Sequence, residues 1–169
     1  PFPGRRCVMA ESIDRRLKPL RDAIDGVDAR LVELLNERAR LASEVGRLKG
    51  EVEAPVLRTE REAEVLRKVD ALSQGPLTAA PLANVFREIM SACRALERPL
   101  TVAFLGPAGT FSETAMHRQC GTSVTGLPCA TLDEVFRATE AGSADVGIVP
   151  LENSSEGAVS RTLDLLLAT

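Results

Sequence analysis

The residues best suited to chemistry in this 169-residue chain are cations set among apolar neighbours. Arg38 falls where a repeating apolar stripe calls for a hydrophobic side chain, and Val45 and Lys49 follow it by seven and four residues. On a helix those three positions share one face over about 16 Å. Two cations on an apolar seam need an anion. For an isolated arginine the plainer reading is an ion pair with a glutamate of another helix, or a buried stem with the head lifted to water, and pattern alone prefers it. Arg61 and Glu62 stand in the first turn of a second helical segment, where unpaired N–H groups and the helix dipole favour an anion. Glu62 also reads as the closing residue of a Thr59-x-x-Glu62 capping box. Glu97 lies one turn after Cys93 near the end of a third helix, where a carboxylate opposes the dipole and is mildly costly unless used.

Composition removes several alternatives. His117 is the one histidine, so a His-rich metal cluster is excluded and a Ser/His or Cys/His pair is a poor prospect; His117 reads as a surface helix residue. Cys7, Cys93, Cys120 and Cys129 show no C-x-x-C spacing, which argues against a disulfide framework and a zinc site and for a reducing cytoplasm. A net charge of −3 gives no general attraction to nucleic acid. No run of about 18 apolar residues or signal-like segment indicates a membrane span or export. Residues 1–12 read as a tail, those before Met9 as a vector remnant or upstream reading.

These side chains require long helices to position them. From Ile13 the apolar residues Leu17, Leu20, Ile24, Val27, Leu31, Leu34, Leu41, Val45 and Leu48 form a heptad stripe broken only at Arg38. Gly26 and Gly46 each weaken the helix by roughly 1 kcal/mol, and Pro19 is expected to bend it or mark its first turn. A helix over about 13–49 would be roughly 55 Å long and cannot cover its stripe with the two shorter helices that follow. A homodimer is expected. Thr59 begins a helix to about Leu72, Ser73-Gln74-Gly75-Pro76 is a turn, and Leu82, Val85, Phe86, Ile89, Met90, Cys93 and Leu96 give a third helix ended by Pro99.

Past Pro99 the pattern changes. Thr101–Leu105 is a short buried strand closed by Gly106-Pro107-Ala108-Gly109. A helix over Ser112–Cys120, a Thr131-x-x-Glu134 capping box opening a helix to about Ala141, a strand at Val146–Val149 and a helix after Gly157 follow. This alternation predicts a parallel α/β sheet of at most three strands, too few for a finished domain. The expected division is therefore 13–98 and 99–169, the latter a truncated domain.

Leu20-Arg21-Asp22-x-Ile24-Asp25-x-x-Asp28, Leu34-Leu35-Asn36-Glu37-Arg38, Glu44-Val45-Gly46-x-x-Lys49, Arg61-Glu62 and Phe86–Cys93 resemble the all-α class of chorismate mutases. Gly106–Ser112 and Val149–Ser154 resemble the start of prephenate dehydratases. In that order they resemble the bifunctional enzymes of phenylalanine biosynthesis. The resemblance implies an intertwined dimer of three-helix mutase domains, followed by an incomplete, periplasmic-binding-protein-like α/β fragment. It implies chorismate and prephenate as ligands, with no cofactor and no metal. Arg38, and Arg21 from the partner chain, then look like carboxylate clamps. Lys49 resembles the donor to the ether oxygen, Arg61 a charge-stabilising neighbour, Glu62 the acceptor of the ring hydroxyl, and Val45 an apolar wall. Cys93, Glu97 and Arg58 depart from the best-known members, which can carry serine, glutamine and an acid there. Glu97 facing the ether oxygen would have to be protonated, so activity is expected to decline as pH rises. Thr110, Ser112, Asn153 and Ser154 would belong to a prephenate pocket, but the family's later Thr-Arg-Phe motif and regulatory domain are not in this sequence, so dehydration by this chain alone is not expected. A non-catalytic helical dimerisation or regulatory module, and an α/β unit merely assembled by the helices, remain as alternatives.

Overall fold

Helix α1 spans Gly4–Gly50, nine residues more at its start than the apolar stripe indicates, and Pro19 lies in its interior rather than in its first turn. The computed structural model describes residues 4–50, 57–153 and 157–168, with side chains of α1 from Ile13 to Lys49. Along α1 the stripe is uncovered: Leu20, Ile24 and Leu34 are each about 60% exposed, and Leu41, Val45 and Leu48 are exposed as well. The chain divides into two compact units, one ending at Arg40 and one from Leu41 onward.

In the second unit, α2 (Thr59–Leu72) and α3 (Ala79–Ala95) pack against each other. The register at the start of α2 corrects the expected capping box. Arg58 is the N-cap, without a side-chain cap bond, and its carbonyl accepts from the Glu62 N–H at 3.1 Å. Glu62 is therefore one position too deep to close a box, and its carboxylate is engaged elsewhere. Thr131, by contrast, caps its helix as expected, its hydroxyl accepting from Glu134 N at 3.2 Å.

Strand β1 (Leu100–Leu105) is the centre of a parallel three-stranded sheet in the order β2-β1-β3, with β2 at Val124–Cys129 and β3 at Val146–Ile148. Its apolar run is continuous because both faces are covered. Leu100, Val102 and Phe104 pack with Met116 and Cys120 of α4 (Phe111–Cys120), whereas Ala103 packs with Val135 of α5 (Leu132–Glu140). Strand β2 is absent from the sequence pattern, since Gly126 and Pro128 break it; the strand pairs on one side only, where a proline's missing N–H is tolerated. A further two-residue pair, β4 (Glu152–Asn153) with antiparallel β5 (Gly157–Ala158), precedes α6 (Ser160–Ala168). The buried Thr162 hydroxyl donates to Pro150 O at 2.8 Å and so fastens α6 to the loop after β3.

Candidate functional site

Glycine at position 46 creates the first element of the site. A β-carbon there would overlap Cγ and Cδ of Glu97, so the Glu97 side chain lies directly against α1, one turn before Lys49. Glu97 is not on α3 as expected: the helix ends at Ala95, Leu96 caps it, and the Glu97 N–H bonds Arg94 O at 3.0 Å in the turn beyond. Lys49 is half-buried on that helix, Val45 remains exposed, and Cys93 is buried on α3.

Glu62 forms the second element. Its carboxylate accepts from Nη1 of Arg94, whose side chain is only 6% exposed, and Nη2 of the same guanidinium donates to Cys120 O at 2.6 Å. Sequence reasoning misses Arg94. At that level it reads as one more basic residue in the last turn of a helix, the usual complement to the dipole. Arg61, adjacent to Glu62, turns the other way and pairs with Glu64 at 2.7 Å. The hydrogen bonds of Lys68 and Arg61 hold the exposed Glu64 carboxyl well below its usual range, at about 2. Arg58 and Arg61 line an open cleft of about 440 Å³ with Glu60, Glu64 and Arg67.

In the unit ending at Arg40, Arg38 is half-buried, and the exposed Arg21 donates to Asp14 of its own helix at 3.0 Å.

The sheet order sets the third element. The chain runs from β1 to β2 on one side and then crosses to β3 on the other, so the strand order reverses beside β1, and the crevice at the carboxyl ends of β1 and β3 is where such sheets bind ligands. Thr110 at the N-cap of α4, Ser112 in its first turn and Asn153 in β4 belong to the segments following those two strands. The Thr110 hydroxyl donates to Leu105 O at 3.3 Å, and the Glu113 carboxylate accepts from Gly109 N. Ser154 lies outside the described residues. His117 is half-buried on α4, with Nδ1 3.4 Å from Gly121 O, and lines a cleft of about 720 Å³ with Arg87, Glu88 and Arg118. Among the described residues no group of three or more His, Cys, Asp or Glu side chains could hold a metal, and no helix is long and apolar enough to cross a membrane.

Comparison with known proteins matches residues 20–98 to the family of type II chorismate mutases and residues 102–169 to the prephenate dehydratases. A bifunctional chorismate mutase/prephenate dehydratase of Neisseria gonorrhoeae is 48% identical over 161 residues, covering 95% of this chain and 44% of that protein. One from Pseudomonas aeruginosa is 52% identical over 157 residues, covering 90% of this chain and 43% of that protein. The chain therefore spans less than half the length of these curated relatives. A solved chorismate mutase (form II) from Thermus thermophilus is 36% identical, covering 48% of this chain and 93% of that one, with a TM-score of 0.48. With residues 20–98 matching the type II chorismate mutases and residues 102–169 the prephenate dehydratases, the chain is similar to part of the bifunctional chorismate mutase/prephenate dehydratases.

Proposed function

We propose that this chain rearranges chorismate to prephenate as a homodimer with active sites shared between chains. The observation that carries the reading is the pairing of the mutase-family match over residues 20–98 with a carboxyl group, Glu97, seated on α1 one turn from Lys49. The rearrangement is intramolecular: the ether C–O bond breaks as a C–C bond forms, and no atom is gained or lost. It needs a compact near-attack geometry and stabilisation of negative charge growing on the ether oxygen, not a nucleophile or cofactor. Cations serve both needs. Arg38 and the partner chain's Arg21 would clamp the substrate carboxylates through their guanidinium forks, and Lys49 would donate to the ether oxygen. Arg61 would leave Glu64 to add positive potential. Glu62 would accept from the ring hydroxyl, and Glu97, protonated, would donate beside Lys49. Val45, Arg58 and Cys93 would line the site.

Dimerisation is supported by the uncovered stripe of α1, which a second copy would bury. Thr110, Ser112, Asn153 and Ser154 would contribute to a prephenate pocket, supported by the position of the described three beyond β1 and β3. A reducing, cytoplasmic setting suits the free thiols Cys93, Cys120 and Cys129. The reading is tested by following chorismate loss spectrophotometrically, with sedimentation of the same preparation. Turnover by a dimer supports it; a stable monomer without turnover refutes it, leaving a non-catalytic helical module.

A further inference from the structure

We propose that Arg94 is a positioning residue for the mutase site: it holds Glu62 in place and ties that carboxylate to the end of α4 in the dehydratase segment. The inference rests on the mutase reading above and adds to it a residue and a dependence between the two segments.

A guanidinium is costly to bury unless its donors are matched to good acceptors. Arg94 meets that condition with two acceptors from distant parts of the chain, the Glu62 carboxylate on α2 and the Cys120 carbonyl at the end of α4. Its Nε has no partner, so the group is held by those two contacts. The helix that carries it is itself fixed on the same side. Glu88, two turns earlier, accepts from Thr122 N at 3.1 Å and from the Thr122 hydroxyl at 2.6 Å, and Ser91 accepts from Ser123 N at 3.2 Å. Between them Gly121 lies so close to Ser91 that a side chain there would overlap it. Positions 88, 91 and 94 thus anchor one face of α3 to the α4–β2 junction over successive turns. The guanidinium therefore has little freedom, and the direction of the Glu62 carboxylate follows from where α4 ends. Turnover at Glu62 then depends on a segment that supplies no group to the mutase site.

The test is steady-state chorismate kinetics on the full chain with Arg94→Gln, Glu62→Gln and their double variant, assayed below the melting temperature of each. Arg94→Gln is expected to lower kcat/KM about tenfold or more, a usual effect of losing the outer partner of a site residue. The double variant should be no worse than the poorer single variant, because both act through one carboxylate. A folded Arg94→Gln with unchanged kcat and KM, or losses that multiply in the double variant, overturns the inference. Should Arg94→Gln not fold, Arg94→Lys decides. Its ammonium lacks the planar fork that serves the two acceptors through separate nitrogens, so lost turnover in a folded protein supports the assignment and full turnover overturns it. An inactive parent chain sinks the mutase reading and this inference together, whereas an active parent with an indifferent Arg94→Gln sinks only the inference.

Discussion

Glu97 occupies the space that a β-carbon on Gly46 would fill, so its side chain lies against α1 only because position 46 has none. In an exposed helix interior, Gly→Ala ordinarily adds about 1 kcal/mol of stability. Here the new methyl group must displace the Glu97 side chain from its place beside the Lys49 turn. Gly46→Ala is therefore expected to retain or raise the melting temperature while lowering chorismate turnover about tenfold to a hundredfold, the usual effect of a small misplacement in a preorganised site. Undiminished turnover in Gly46→Ala would separate Glu97 from the chemistry.

Glu97 must carry a proton to donate towards a growing oxyanion, since a carboxylate would repel it. Glu97→Gln, whose amide also donates, should retain chorismate turnover, whereas Glu97→Ala should lose about tenfold or more; equal turnover in the two variants removes the assigned role.

Gly121 has φ +79° and ψ −175°, a conformation nearly restricted to glycine, and abuts the buried Ser91. Gly121→Ala combines backbone strain of about 1–3 kcal/mol with steric overlap against α3. A lower urea midpoint is expected. A midpoint equal to that of the parent would mean that α3 does not dock on this junction in solution.

Burial, reinforced by the nearby Glu62 charge and opposed by Arg94, raises the Cys120 thiol above its ordinary value of 9.0. The folded state then keeps a proton that the unfolded chain releases. The stability linked to this group is complete below about pH 9 and is lost as pH climbs through the raised value. Unfolding free energies between pH 8 and pH 10 should fall less steeply in Cys120→Ala than in the parent, with Cys129 retaining part of the slope because burial raises its thiol too. Equal slopes would refute the burial of Cys120.

Much of this arrangement is legible in the residues alone. The heptad of α1, the span of α2, the buried run of β1 and the Thr131 cap each depend on neighbours within a few positions, which pattern captures. Others depend on distant partners. Arg94 gains its meaning from Glu62 and Cys120, 32 and 26 residues away. Glu97 meets Gly46 on a distant stretch of α1, and Thr59 loses its cap because Arg58 takes that position. Strand β2 is stabilised by its pairing with β1 in spite of Gly126 and Pro128. The family motifs named the candidate cations, but not which acid each one meets.

The most direct test of a chorismate mutase with shared sites is mixing Arg21→Ala with Arg38→Ala. Each variant alone should lose about a hundredfold or more of the parent's turnover, as expected for removing a charged donor from a preorganised site. In a mixed dimer, one site combines the intact Arg38 of one chain with the intact Arg21 of the other, while the second site loses both. Half of the dimers in a randomised equimolar mixture are mixed, so about a quarter of the parent's chorismate turnover should return. A mixture no more active than the mean of its two components would contradict the account.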